Sequence, residues 1–184
     1  SDEEIERIEV LLPLLTKNIV SKLSIDTYKS KTAHFALQNG FDIVNDISGG
    51  SSLEMLGIVA NYGAKIILMH MQGTPQDMQD NPQYSDVIDD IILFFEERCE
   101  RAIKAGVDYD KIIIDPGIGF GKTIADNDKI ISCITKFKSL GFPVLIGLSR
   151  KSFLQIHDDL PSERLATTIS MSTLSMLNGA DIIR

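Results

Sequence analysis

Five times along this chain a helix-forming stretch is closed by a glycine, and a short, almost wholly apolar run follows within a few residues; the closing glycines are Gly40, Gly63, Gly106, Gly141 and Gly179. Glycine ends helices because it enters the left-handed backbone region that other residues resist. Apolar runs that do not alternate with polar residues read as strands buried on both faces. Strands of that kind alternating with helices form a parallel sheet covered by helices.

The same periodicity sets the expected boundaries. An amphipathic helix over 1–17 opens with Ser1-x-x-Glu4 in capping-box spacing and puts Ile5, Ile8, Leu11, Leu12 and Leu15 on one face. Strands are expected at 23–25 ending in Asp26, at 41–44 ending in Asn45-Asp46, at 65–69 ending in His70, at 111–114, at 143–148 and at 181–183. Helices are expected at 29–39, from a Ser51-x-x-Glu54 capping box to Gly63, and at 86–105 with Val87, Ile88, Ile91, Ile92, Phe95, Cys99 and Ala102 on the apolar side. Two more follow at 128–140 and, after a turn at 158–161, at 162–178. Gly73, Pro75 and Pro82 exclude regular structure from the excursion between His70 and Asp86, which reads as a mobile loop over the strand ends.

Every expected strand terminates in polar residues: Asp26, Asn45, His70, Asp115, Lys151 (with Ser149 and Arg150) and Arg184. An open doubly wound sheet uses only the few strand ends at its switch point, whereas a (β/α)8 TIM barrel gathers all of them around one mouth. The barrel is therefore the expected fold class, as a single domain over 1–184. A complete barrel takes about 250 residues, and this chain of 184 offers about six strands. Two βα units are expected to be absent before Ser1, and the last helix after Arg184.

The densest chemistry lies in KIIIDPGIGFGK, 111–122. Three isoleucines run into Asp115, and Pro116-Gly117 break the strand, so a carboxylate stands where a buried strand surfaces. The glycines then let the backbone approach a ligand closely. A nucleotide P-loop is excluded, since its first glycine would fall at Pro116; a dinucleotide G-x-G-x-x-G starting at Gly117 meets Lys122 at its third glycine.

A net charge of −8, with no basic stripe to offset it, argues against a nucleic-acid partner. Cys99 and Cys133 read as isolated thiols buried inside helices in a reducing compartment, and His34, His70 and His157 have no metal-ligand spacing. No apolar run approaches the ~18 residues of a membrane span, and the acidic start is no signal peptide. The expectation is a cytoplasmic protein without a membrane partner.

Two acids (Asp26, Asp115), an amide (Asn45) and two bases (Lys151, Arg184) would surround the barrel mouth. Carboxylate and amide suit a heterocycle with adjacent N–H donors and a carbonyl, and the bases suit an anion. Each also has a plainer reading. Asp26 could cap the next helix, Asn45-Asp46 and Asp115 could belong to turns, and Lys151 and Arg184 could be solvated cations. His70 reads as a packed loop histidine, and Met69 and Met71 as lining.

The segments SIDTYKS, IVNDISGG, IILMHMQGTP, IIIDPGIGFGK, GLSRKSF, PSERLATT and GADIIR, in this order, closely resemble the dihydropteroate synthase family, the sulfonamide target of folate biosynthesis. That resemblance implies a (β/α)8 barrel condensing 6-hydroxymethyl-7,8-dihydropterin diphosphate with p-aminobenzoate to give 7,8-dihydropteroate and pyrophosphate. It makes Asp26, Asn45 and Asp115 the pterin-binding set and puts Lys151 against pterin and aminobenzoate. Ser152 would meet the aminobenzoate carboxylate, Arg184 the pterin and the diphosphate, and Phe120 and Gly147 the pocket walls.

It further implies a homodimer and Mg²⁺, although the family's first loop, with its Mg²⁺-linked Asn, the S-T-R-P-G loop and a His two positions beyond the arginine matched by Arg184 have no counterpart here. This polypeptide alone is therefore expected to bind pterin weakly and turn over negligibly. The rival readings are a methyltetrahydrofolate-type methyltransferase barrel, against which SRKSF argues, and a non-catalytic section of a larger folate enzyme.

Overall fold

A computed structural model of the chain describes residues 2–18, 20–74, 76–78, 80–154 and 160–184, the side chains of 16–18 excepted. The Ser1 half of the first capping box and the 158–159 part of the late turn lie outside the described residues. The chain forms two compact units, Ser1–Leu68 with Arg98–Ile112 and Met69–Glu97 with Ile113–Arg184.

The first unit contains α1 (Asp2–Asn18), β1 (Ser24–Asp26), α2 (Ser30–Gln38), β2 (Ile43–Asp46), α3 (Leu53–Tyr62) and all of β3 (Lys65–Met69) but its last residue. The strands run parallel, with Asp26 opposite Asn45 and Asn45 opposite Ile67. Asn45 and Asp46 are thus strand residues and not the turn beyond it. Val44, Ile66, Leu68, Met55, Leu56, Val59, Ala33 and Ala36 are buried, as expected for strands covered by helices. Helix α1 departs from expectation: Ile8 alone of its five apolar-face residues is buried, and Leu11 is 50% exposed. Its Glu4 accepts hydrogen bonds from Lys29 Nζ at 2.6 Å and Thr32 Oγ1 at 2.8 Å, which ties it to α2.

The second capping box is displaced by one residue. Ser52, not Ser51, caps α3, its hydroxyl accepting from Met55 N at 3.2 Å. Ser51 is diverted into the preceding loop, where its hydroxyl donates to Ser48 Oγ. Asp46 organises that loop by accepting from Ser48 N, Ser48 Oγ and Gly50 N.

The second unit takes the end of β3, the first part of α4 (Val87–Lys104), all of β4 (Ile112–Asp115) but Ile112, then α5 (Ile124–Ser132), α6 (Ile134–Lys138), β5 (Leu145–Ile146), α7 (Leu165–Leu177) and β6 (Ile182–Ile183). Its parallel contacts run in series. His70 N donates to Asp115 O at 2.9 Å, Ile114 bridges Val144, and β5 pairs with β6 at Leu145–Ile182 and Ile146–Ile183. A bond from Arg184 N to Ile146 O extends the last pair. Within this unit the ends of successive strands are therefore neighbours.

Three boundaries differ from the sequence pattern. The helix expected at 128–140 opens at Ile124, because Thr123 and Asp126 form a reciprocal capping box, and it breaks at Cys133. Cys133 is accordingly half-buried at a helix junction, while Cys99 is buried in α4 with its thiol pushed up to about 12 by desolvation. The fifth strand shrinks to two residues, and the last helix begins as a 3₁₀ turn over Pro161–Arg164.

Candidate functional site

Asp115 ends β4 and is 2% exposed. Proline then removes a backbone donor, and Gly117 turns at φ +70°, where a Cβ would lie 1.9 Å from His70 O. Only glycine fits, and the tight turn brings Gly117 N to 2.8 Å from Asp115 Oδ1 as a hydrogen-bond donor. Burial pushes the Asp115 carboxyl above its ordinary range. The Gly117 N–H and the charges of Lys151, Arg184 and Lys122 oppose that shift, so three cations of this unit act on one buried acid.

Lys151 follows β5 on a strained corner: Arg150 holds φ +53°, unusual for a side chain of its size. The start of the last helix supports that corner. Thr168 Oγ1 accepts from Arg150 N at 3.0 Å, and Arg164 Nη1 donates to Arg150 O at 3.2 Å. The Lys151 ammonium donates to Ile118 O and lies 4.6 Å from the centre of the Phe120 ring. Burial, aided by Arg184 and opposed by Asp115, lowers its pKa to about 8. Gly147 lies beside both cations: a Cβ there would be in ordinary contact with Arg184 Nε and Nη2 at 3.7 Å and Lys151 Nζ at 3.9 Å. Ser152 is exposed and opens a 3₁₀ turn directly after Lys151. Asp115, Phe120, Gly147, Lys151 and Arg184 are thus gathered around the strand ends of the second unit.

In the first unit Asp26 and Asn45 form a pair, Asn45 Nδ2 donating to Asp26 Oδ1 at 3.0 Å. Asp26 does not cap α2, whose N-cap position is Lys29 with no side-chain cap bond. Asn45 is 1% exposed, and its Oδ1 has no hydrogen-bond partner among the described residues. A buried unpaired acceptor costs about 1–3 kcal/mol, a cost that a donor on a bound ligand would remove.

Sequence reading missed the burial of Lys122, which is 4% exposed. Its ammonium donates to Phe120 O at 2.9 Å and to His70 Nδ1 at 3.0 Å. The only local signal was a lysine inside a glycine-rich loop. His70 is packed, as expected, with its ring edge-on to Phe94 at 4.9 Å between centroids.

Among the described residues no group of three or more histidine, cysteine, aspartate or glutamate side chains is placed to hold a metal ion. No helix among the described residues is long and apolar enough to cross a membrane.

The sequence profile of a family described as pterin binding enzyme matches residues 1–184. The dihydropteroate synthase of Synechocystis sp. is 42% identical over 185 residues, covering 99% of this chain and 64% of that protein. The dihydropteroate synthase of Escherichia coli (strain K12) is 34% identical over 184 residues, covering 100% of this chain and 65% of the relative.

Among solved structures, the Yersinia pestis dihydropteroate synthase with a sulfonamide drug superimposes with a TM-score of 0.96 at 33% identity, over 100% of this chain and 68% of that one. A Xanthomonas albilineans dihydropteroate synthase in complex with 7,8-dihydropteroate gives 0.92 at 32% identity, over 100% and 68%. The chain thus spans 64% and 65% of the length of these two curated relatives. Its fold is that of a (β/α)8 barrel, of which the described residues supply six strands.

Proposed function

The chain belongs to the pterin-binding enzyme family, and we propose that it is the larger part of a dihydropteroate synthase barrel, acting as one domain. The reaction joins 6-hydroxymethyl-7,8-dihydropterin diphosphate to p-aminobenzoate. The methylene–oxygen bond to diphosphate breaks, a methylene–nitrogen bond forms, and the amine gives up a proton as pyrophosphate leaves. The observation that carries this reading is the buried Asp115 carboxylate, held by Gly117 N–H in the company of Lys151 and Arg184.

A pterin presents its N3–H and 2-amino donors side by side, matching the two oxygens of one carboxylate. Asp115 takes that role. Asn45, whose Oδ1 has no partner among the described residues, takes the acceptor role that the resemblance gives it, and Asp26 fixes the orientation of its amide by accepting from Nδ2. Phe120 and Gly147 form walls, Lys151 meets pterin and aminobenzoate, Ser152 takes the aminobenzoate carboxylate, and Arg184 holds the departing diphosphate.

Charge separation explains the catalysis. As diphosphate leaves, positive charge develops on the pterin methylene, and a fixed anion on the pterin side with a cation on the diphosphate side stabilises it. No side-chain nucleophile is needed. The Mg²⁺ that the resemblance implies has no donor cluster among the described residues and takes no part in this proposal. We place the protein in the cytoplasm as a homodimer; the exposed apolar Leu165, Ile169 and Leu177 of α7 are compatible with a partner surface.

Calorimetric titration with the pterin diphosphate tests this function. Asp115→Asn keeps the shape but removes the charge and one acceptor oxygen, and it should weaken binding by about 2 kcal/mol, roughly thirtyfold. Unchanged affinity would overturn the assignment.

A further inference from the structure

Lys122 and His70 have no role in the reaction as described, yet burying an ammonium beside an imidazole is expensive and needs a return. All three donors of the Lys122 ammonium are engaged, by His70 Nδ1 at 3.0 Å, Phe120 O at 2.9 Å and His70 O at 3.4 Å. A lysine donating to Nδ1 requires that nitrogen to be bare, so the ring proton sits on Nε2. Burial and the neighbouring Lys122 charge lower the His70 pKa to about 3, which keeps the ring a neutral acceptor.

The loop between Asp115 and Thr123 lies flush on the segment that follows β3. Gly117 packs against His70 O, and a Cβ on Gly121 would come within 2.6 Å of Gln72 O. Tyr84 Oη donates to Gly121 O at 2.6 Å, and Asn127 Oδ1 accepts from Gly119 N at 2.8 Å. Two carbonyls of this loop then face two ammonium groups: Ile118 O accepts from Lys151 and Phe120 O from Lys122. Lys122 therefore fixes the peptide whose side chain, the Phe120 ring, carries the Lys151 ammonium.

We propose that Lys122 is a positioning residue of the pterin site: anchored on His70, it holds Phe120, and through it Lys151, in place beside Asp115. The proposal rests on the pterin-binding reading above. The charged groups acting on Lys122 are Asp115 and Asp126, which favour its protonated form, and Lys151, which opposes it, while His70 faces it as a neutral ring. Burial brings the Lys122 pKa to about 7, so the ammonium persists through the acidic range in which Asp115 would take up a proton.

The test compares the unsubstituted protein with Lys122→Met, His70→Phe and His70→Asn, using pterin diphosphate titrations from pH 5 to 8 and amide hydrogen exchange of residues 117–121. Lys122→Met should weaken pterin binding at least tenfold and speed exchange in 117–121. It should also shift the acid limb of binding, where Asp115 protonates, to higher pH, which a merely structural lysine would not do. His70→Phe keeps the ring packing without the acceptor and should reproduce the faster exchange. His70→Asn restores an acceptor near the Nδ1 position and should recover most of the affinity.

Should Lys122→Met fail to fold, the Phe and Asn variants of His70 decide the matter by the same readouts. Binding by all variants with the original affinity, acid limb and exchange rates would overturn the proposal. Failure of the unsubstituted protein to bind pterin would instead strike the functional reading. In that case the exchange of 117–121 alone judges Lys122: acceleration in Lys122→Met supports its positioning role, and unchanged rates overturn it.

Discussion

Two neighbouring buried bases, His70 and Lys122, have their pKa values lowered by burial, and this has a cost that pH exposes. His70 falls from an ordinary 6.5 to about 3 in the folded protein, so between those values the unfolded chain binds a proton that the folded chain refuses. Stability must then rise with pH from about 3 to 6.5, by ~1.4 kcal/mol per pH unit where the difference is a full proton. Lys122 behaves alike between about 7 and its ordinary 10.5. Chemical denaturation across pH should show the acid slope flattened in His70→Phe, and an unchanged slope would contradict the burial described here.

Asp115 was legible because an apolar run, a carboxylate and Pro-Gly are contiguous. Lys122 was not, because its partner His70 lies 52 positions away and only the fold brings them together. The orphaned Oδ1 of Asn45 was equally invisible, since an unmet acceptor is a property of surroundings and not of a residue type.

Helix starts show where local pattern competes with tertiary contact. Ser51 and Ser52 are both able to cap α3, and Ser51 has the better sequence spacing, with Glu54 three residues on. The loop ordered by Asp46 draws Ser51 to Ser48 and leaves the cap to Ser52. Ser52→Ala should therefore cost about 1 kcal/mol of stability and Ser51→Ala under about 0.5. Equal losses in thermal unfolding would show that the cap is shared. At α5 the T-x-x-D spacing forms the box, Asp126 accepting from both Thr123 N and Thr123 Oγ1. Strand type and order were readable throughout, because glycine stops and apolar runs act locally. Strand length was not: the fifth strand is shortened to Leu145–Ile146, with Pro143 unable to donate to a ladder.

At the scale of the molecule, the proposed function gives an acidic chain of net charge −8 two anionic substrates. The resolution is local, since Lys122, Lys151 and Arg184 all act on the end of β4. The barrel class followed from the expectation that every strand delivers a polar tip, and likeness to solved dihydropteroate synthases over the whole chain supports it. What the tips do together depends on one carboxylate. The most direct test is a crystal structure of the protein with a dihydropterin bound. The account predicts the two Asp115 oxygens within about 3 Å of the pterin N3 and 2-amino nitrogens. A pterin seated elsewhere, with Asp115 still bonded only to Gly117, would contradict it.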